Sequence, residues 1–261
     1  MMTLPAEARG VHTRLLKCTL EVETSRAYWA LAGSEGESTA RRAFEEYWFG
    51  VRSLGRVEVL MSNLRARYDA YPAALRALGL WEEMDPDTRR LVCHWHVQLS
   101  DPMYRAFTGS YLVARHDGSR PTVTHDLAVA WVSEQDSGRW NMATRIQFAS
   151  KLLSAAHGAG LIGSTRDPRP LEFPRVGEQA LTYIMYLLRG VSFAGTLLEN
   201  PYLASVGLQE SNLEDRLRGL SALRYRRQGD LVDFGWRYDG LEDWVASAQP
   251  ARPWARAGGA R

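Results

Sequence analysis

A chain of 261 residues that is 45% hydrophobic and 10% aromatic holds enough apolar side chain for two compact domains or three small ones, which excludes disorder of the whole. Nine Trp and only two cysteines, Cys18 and Cys93, describe a core that needs neither disulfides nor a structural metal and fits a reducing compartment. No apolar run approaches the roughly 18 to 20 residues of a bilayer span, and the first residues lack a basic stretch followed by an apolar one, so a cytoplasmic location is expected.

The formal net charge of +2 is too small to announce a polyanionic partner, so the distribution of charge has to carry the electrostatic argument. Lys17 and Lys151 are the only lysines. Arg52, Arg56, Arg65 and Arg67 share a stretch with Glu58 as its only acid. Arg139, Arg145, Lys151, Arg166 and Arg169 share another with Asp167 alone, and Arg216, Arg218, Arg224, Arg226 and Arg227 lie in a stretch with no acid. Acids gather elsewhere, at Glu35, Glu37, Glu45, Glu46 and from Glu82 to Asp87. This segregation predicts one basic face on a nearly neutral protein.

In chain order, residues up to about Gly10 read as a loose end, Thr13 to Leu20 as a short helix and Glu21 to Ala32 as a second, before a polar linker from Gly33 to Ser38. Phe44, Tyr47, Trp48 and Val51 fall on one face of a 3.6-residue period. After Gly55 the period continues through Val57, Leu60, Leu64 and Tyr68, and Pro72 suits the first turn of a further short helix. Asp85-Pro86 and Asp101-Pro102 are strong helix starts, each a capping carboxylate ahead of a proline that lacks only an unneeded N–H. Leu91, Val92, Trp95 and Leu99 form the buried stripe of the first, and Met103, Phe107 and Tyr111 that of the second. The loop Asp117 to Pro121 closes this helical region.

Thr124 can cap a helix with Leu127, Ala130 and Trp131 inward, and Asn141 a second with Met142, Ile146, Ala149, Leu153 and Ala156 inward. Gly158 and Gly160 stop it, Leu161 and Ile162 begin an extended stretch, and a turn from Asp167 to Pro170 leads to a return strand from Leu171 to Phe173. Helix, short turn, helix and hairpin is the order of a winged helix-turn-helix. An apolar helix over 178–198 follows, with Leu181, Ile184, Met185 and Leu188 inward. Ser211 and Glu214 fit a capping box before the stripe Leu213, Leu217, Leu220. Leu223 to Gln228 and Leu231 to Tyr238 then read as a hairpin with Val232, Phe234, Trp236 and Tyr238 on one face, and Leu241 to Ala246 as a closing helix. The expected fold is therefore mainly α. A helical bundle over 1–100 precedes a winged helix-turn-helix-like unit over 101–175 and a helical region over 176–247 with a second helix-plus-hairpin unit. The Pro-, Gly- and Arg-rich stretch 248–261 reads as a disordered tail.

The chemistry this layout offers is contact with double-stranded DNA. On the helix from Met142 the outward positions are Thr144, Gln147, Lys151 and Ser154, residue types that donate to phosphates or read base edges, with Arg145 at the flank. Arg166 and Arg169 flank the turn of the first hairpin. Arg224 and Arg226 alternate away from Tyr225 with Arg227 at the second turn, and Arg216 and Arg218 belong to the same acid-free stretch. Cys93 and His96 share a helical face, but no third or fourth ligand follows at a usable spacing, so no metal is expected. Without a phosphate loop, nucleophile elbow or carboxylate pair, no catalysis or cofactor is expected either.

Four stretches carry a resemblance to a known family. Ser53 to Arg67 contains Arg56, Asn63, Leu64 and Arg67, and Leu99 to Phe107 contains Asp101 and Phe107. Trp140 to Ile162 contains Thr144, Lys151 and Ala159-Gly160-Leu161-Ile162, and Tyr202 to Val245 contains a helix, the Gly229-Asp230 turn and a last helix. From about Leu20 to Val245 the chain resembles the BrxA family, the small helical component of BREX phage-exclusion systems. The resemblance implies a helical fold with winged-helix character, double-stranded DNA binding with little sequence preference, and partners among a methyltransferase, a phosphatase-like protein and an ATPase. A winged-helix transcriptional regulator and a protein–protein scaffold of the defence complex are the alternatives.

Overall fold

Two Asp-Pro pairs start the helices on which the rest is built. In the computed structural model, which describes residues 4–32, 39–136 and 138–248, Asp85 accepts from the Thr88 N–H at 2.9 Å and opens α5 (Pro86–Ser100). Asp101 accepts from the Tyr104 N–H at 3.0 Å and opens α6 (Pro102–Ala106), which runs through a π turn (Phe107–Tyr111) into α7 (Leu112–His116). Every residue of α5 from Leu91 to Leu99 is buried, so this helix is the axis of the core and not a helix with one apolar stripe.

Such an axis must satisfy its polar side chains internally. The Ser205 hydroxyl donates to the Tyr202 carbonyl at 2.8 Å, which leaves its oxygen to accept from His94 Nε2 at 2.9 Å and His94 Nδ1 to accept from Tyr104 Oη at 2.9 Å. His96 Nδ1 faces the Arg67 carbonyl at 3.4 Å, and Nε2 meets Tyr183 Oη at 2.7 Å. Both imidazoles are thus held as neutral tautomers, and burial depresses each pKa to about 3.

Around α5 lie α1 (Val22–Ala32), α2 (Ala40–Glu45), α3 (Leu54–Tyr68) and α4 (Pro72–Leu80). The expected stripe Val57, Leu60, Leu64, Tyr68 is buried on α3. α2 stops early, since Tyr47 and Gly50 take positive φ, and Tyr47 is exposed instead of facing the core. Farther along, α10 (Glu178–Arg189) packs on α5, and α11 (Pro201–Ala204) on the π turn. Next, α12 (Glu210–Arg218) supports an antiparallel hairpin of β3 (Leu223–Gln228) and β4 (Leu231–Trp236), and α13 (Leu241–Ala248) returns to α4 with an Arg76–Glu242 ion pair at 2.8 Å.

Three expectations for the ends of elements are corrected. Residues 4–10 are not a loose end. Ala6 bridges Ser192 in a parallel pair, and the buried Glu7 accepts from Tyr202 Oη and, at 3.1 Å, from the Ala194 N–H. The expected helix from Thr13 to Leu20 is only a 3₁₀ turn (Arg14–Leu16). The carbonyls of Thr19 and Leu20 accept from the buried Arg67 guanidinium at 2.7 and 2.8 Å, so an extended path replaces helical bonding there. Ser211 does not cap α12, because the helix already begins at Glu210, which puts Ser211 inside its first turn; Glu214 instead pairs with two arginines. The linker Gly33 to Ser38 and the tail from 249 on lie outside the described residues. Among the described residues no helix is long and apolar enough to cross a membrane.

Candidate nucleic-acid interface

β1 (Thr122–Val123) leads into α8 (His125–Gln135), which turns into α9 (Met142–Gly158), and the chain returns through Ile162 to β2 (Arg169–Pro170). The strands close on one another: Thr122 and Val123 pair antiparallel with Pro170 and Arg169, and Ile162 bridges Leu171 on the next residue of the return strand. The hairpin starts at Ile162 as expected, but its return strand is Arg169–Leu171 and not Leu171 to Phe173, and pairing by Thr122 and Val123 is not legible in their two residues.

The caps are those read from the sequence. Thr124 accepts from the Leu127 N–H at 3.2 Å and Asn141 from the Thr144 N–H at 2.9 Å. The inward faces differ. Leu127 and Ala130 are exposed while Ala128, Trp131 and Val132 are buried, and Met142 and Ile146 are 55% and 43% exposed. On α9 the core is reached by Phe148, Ala149, Leu152, Leu153, Ala155 and Ala156. Burial begins only in the second turn and is centred one residue earlier than expected, because the capped start of α9 projects beyond the core.

Asp136 builds the turn between the two helices. Its buried carboxylate accepts from the Arg139 and Trp140 N–H groups and from Arg145 Nε, each at 3.0 Å. Desolvation opposes its charge, but the Trp140 N–H, the Arg145 guanidinium and the Arg139 N–H outweigh it and hold the carboxyl below its ordinary range. Arg145 is therefore part of the turn. Asp167 does a similar job for the hairpin turn: it accepts from the His125 N–H at 2.8 Å and from Arg169 Nε at 2.6 Å, tying that turn to the start of α8. His125 Nε2 in turn meets Ser150 Oγ of α9 at 3.0 Å.

The remaining residues of interest divide by what they touch. Gln147 and Ser154 are exposed and Thr144 and Lys151 half-buried on α9, with Arg166 exposed in the hairpin turn. On the second hairpin Arg224 and Arg226 are exposed, Arg226 lying opposite Asp233 in the register. Arg227 lies on the other face with Tyr225 and Phe234 and pairs with Glu214, correcting its expected outward direction. Arg218 pairs with Glu214 at 3.0 Å and Asp215 at 2.5 Å, and Arg216 donates to the Val176 carbonyl. Lys151, Arg166, Arg224 and Arg226 thus have no carboxylate partner among the described residues. The first two stand on the α8–α9 unit, the last two on the hairpin that packs on α12.

Sequence reading placed Asp136 and Asp167 in turns and Glu214 in a capping box, but missed that these acids decide which arginines are engaged. An Asp directly after a helix and before Ser-Gly is a turn signal, and Glu214 stands four residues before Arg218. Among the described residues no group of three or more His, Cys, Asp or Glu is placed to hold a metal.

No family model and no curated protein matches the chain. A crystal structure of an uncharacterized protein from Magnetospirillum magneticum is similar to it, with a TM-score of 0.56 at 14% identity over 69% of this chain and 97% of that one. The likeness is one of fold.

Proposed function

We propose that the chain is a non-catalytic, double-stranded DNA-binding subunit of a BREX-type defence system, working beside the methyltransferase, phosphatase-like protein and ATPase that the BrxA resemblance implies. The observation that carries the DNA reading is the order and closure of β1, α8, α9, Ile162 and β2, with the return strand between Thr122–Val123 and Ile162. That order is compatible with a winged helix, and on this reading α9 would be the recognition helix and Arg166 would stand in the wing. Of the residues expected to contact DNA, Lys151, Arg166, Arg224 and Arg226 are available to phosphates, since they have no carboxylate partner to leave among the described residues. Four such cations predict a log affinity that falls with log salt at a slope of about −2 to −4. Fluorescence anisotropy on unrelated duplexes at several salt concentrations tests this. Equal affinity for all of them supports the reading, marked preference for one points to a transcriptional regulator, and no binding at low salt removes it.

A scaffold is the second reading, favoured by the apolar surface of Leu127, Met142 and Ile146 on the α8–α9 hairpin. It predicts that Met142→Ser with Ile146→Ser leaves DNA affinity unchanged and abolishes association with a defence partner.

A further inference from the structure

We infer that the 3₁₀ turn Arg14–Leu16 and the residue after it extend the α9 surface into a continuous track for the phosphates of a DNA backbone, through Arg14 and Lys17. The inference rests on the DNA reading above and adds a phosphate-binding element from a part of the sequence that lies far from both winged-like units. The turn packs directly on α9, with Leu15 buried. Along α9 the outward positions Lys151, Ser154 and Gly158 form one stripe, and a Cβ on Gly158 would stand 3.5 Å from the Leu20 side chain. The stripe therefore runs straight onto the segment that holds Lys17.

Hydrogen bonds to α3 fix the backbone of that segment, while Arg14 and Lys17 are exposed. Arg56 Nη1 donates to the Lys17 carbonyl at 2.8 Å, and the Arg67 guanidinium takes the carbonyls of Thr19 and Leu20. The backbone is turned toward α3 by these bonds, while the Arg14 and Lys17 side chains are exposed and have no carboxylate partner among the described residues. Glu21 pairs with Arg56 at 3.2 Å, and Asp101 is buried. From Lys151 to Gly158 is seven residues, about 10 Å of helix axis. Roughly three base-pair steps of about 3.4 Å cover the same distance. A pair of cations fixed beyond that end is placed to meet the next phosphates of the same strand.

The test is Arg14→Gln with Lys17→Gln, measured against the wild type by anisotropy on a duplex of about 20 base pairs from low to moderate salt. Removing one cation from a phosphate should reduce the magnitude of the salt slope by about 0.9, so the double variant should be shallower by about 1.8 and bind about tenfold or more weakly at 0.1 M salt. The charge-keeping variant Arg14→Lys with Lys17→Arg should bind as the wild type does, and melting temperatures should be equal because neither side chain is buried. An unchanged slope in the glutamine variant, with Lys151→Gln still weakening binding, overturns this track and leaves the DNA reading standing. Failure of the wild type itself to bind any duplex at low salt overturns both.

Discussion

Acidification from pH 7 to 5 is the perturbation that most directly probes the core of this protein. His94 and His96 are buried, neutral and satisfied at both ring nitrogens, with pKa values near 3 in the folded state against 6.5 when unfolded. A folded-state pKa below the unfolded one means that the unfolded chain takes up protons first. Stability is therefore full above pH 6.5 and is lost as pH falls toward 3. Each unit of pH in that window removes about 1.4 kcal/mol per histidine. Between pH 7 and 5 each costs about 2 kcal/mol, about 4 kcal/mol together, a large part of the 5 to 15 kcal/mol typical of a domain. Urea unfolding at half-unit pH steps measures this directly, and His94→Gln or His96→Gln should each remove about half of the pH slope whatever it does to stability at pH 7. A denaturation free energy that stays flat from pH 7 to 5 would refute the argument, because it requires imidazoles open to water or charged in the fold.

Three further outcomes follow from the geometry. A Cβ at Gly109 of the π turn would lie 2.4 Å from Pro201 Cβ and 2.6 Å from its carbonyl oxygen, so Gly109→Ala should destabilise by about 1–3 kcal/mol, whereas Gly55→Ala on α3, with only Ser53 Oγ at 3.9 Å, should stabilise by up to about 1 kcal/mol; thermal melts that rank the two the other way would contradict the packing. Arg224→Ala with Arg226→Ala should weaken duplex binding more than Arg218→Ala with Arg227→Ala, since the latter pair is engaged by Glu214, and equal losses by anisotropy would show those ion pairs to be irrelevant. Asp136→Asn should speed hydrogen exchange at the Arg139 and Trp140 amides relative to those of α5, and unaltered protection there would remove Asp136 from its place as organiser of the turn.

Much of the fold was legible because its signals are local. The two Asp-Pro starts, the caps at Thr124 and Asn141, the α3 stripe and the alternation of Phe234 and Trp236 each depend on a few neighbouring residues, and each is found where it was read. What failed depends on distant partners. Met142 and Ile146 have the spacing of a buried stripe, but nothing in the sequence says that the core stops before the start of α9. Nothing local marks His94 and His96 as buried, and their burial follows from Tyr104, Ser205 and Tyr183 arriving from three other elements. The candidate interface divides in the same way: counting charges found the arginines, and the pairs Asp167–Arg169 and Glu214–Arg218 are close in sequence, while the acids that engage Arg145 and Arg227 come from other elements and are visible only in three dimensions.

The bond between Glu7 and Tyr202 also sets a timetable for biosynthesis. The two residues are 195 positions apart. At a synthesis rate of about 5–20 residues per second, roughly 10 to 40 s pass between the emergence of the first and of the second. Through that interval the Glu7 carboxylate, Ala6 and its neighbours have no seat, since Ser192 and Ala194 are also still to come. Ala6 and Glu7 thus leave the ribosome long before their partners and dock only once Tyr202 has followed, so a change that hinders the strand pairing at Ala6 burdens a late step of folding.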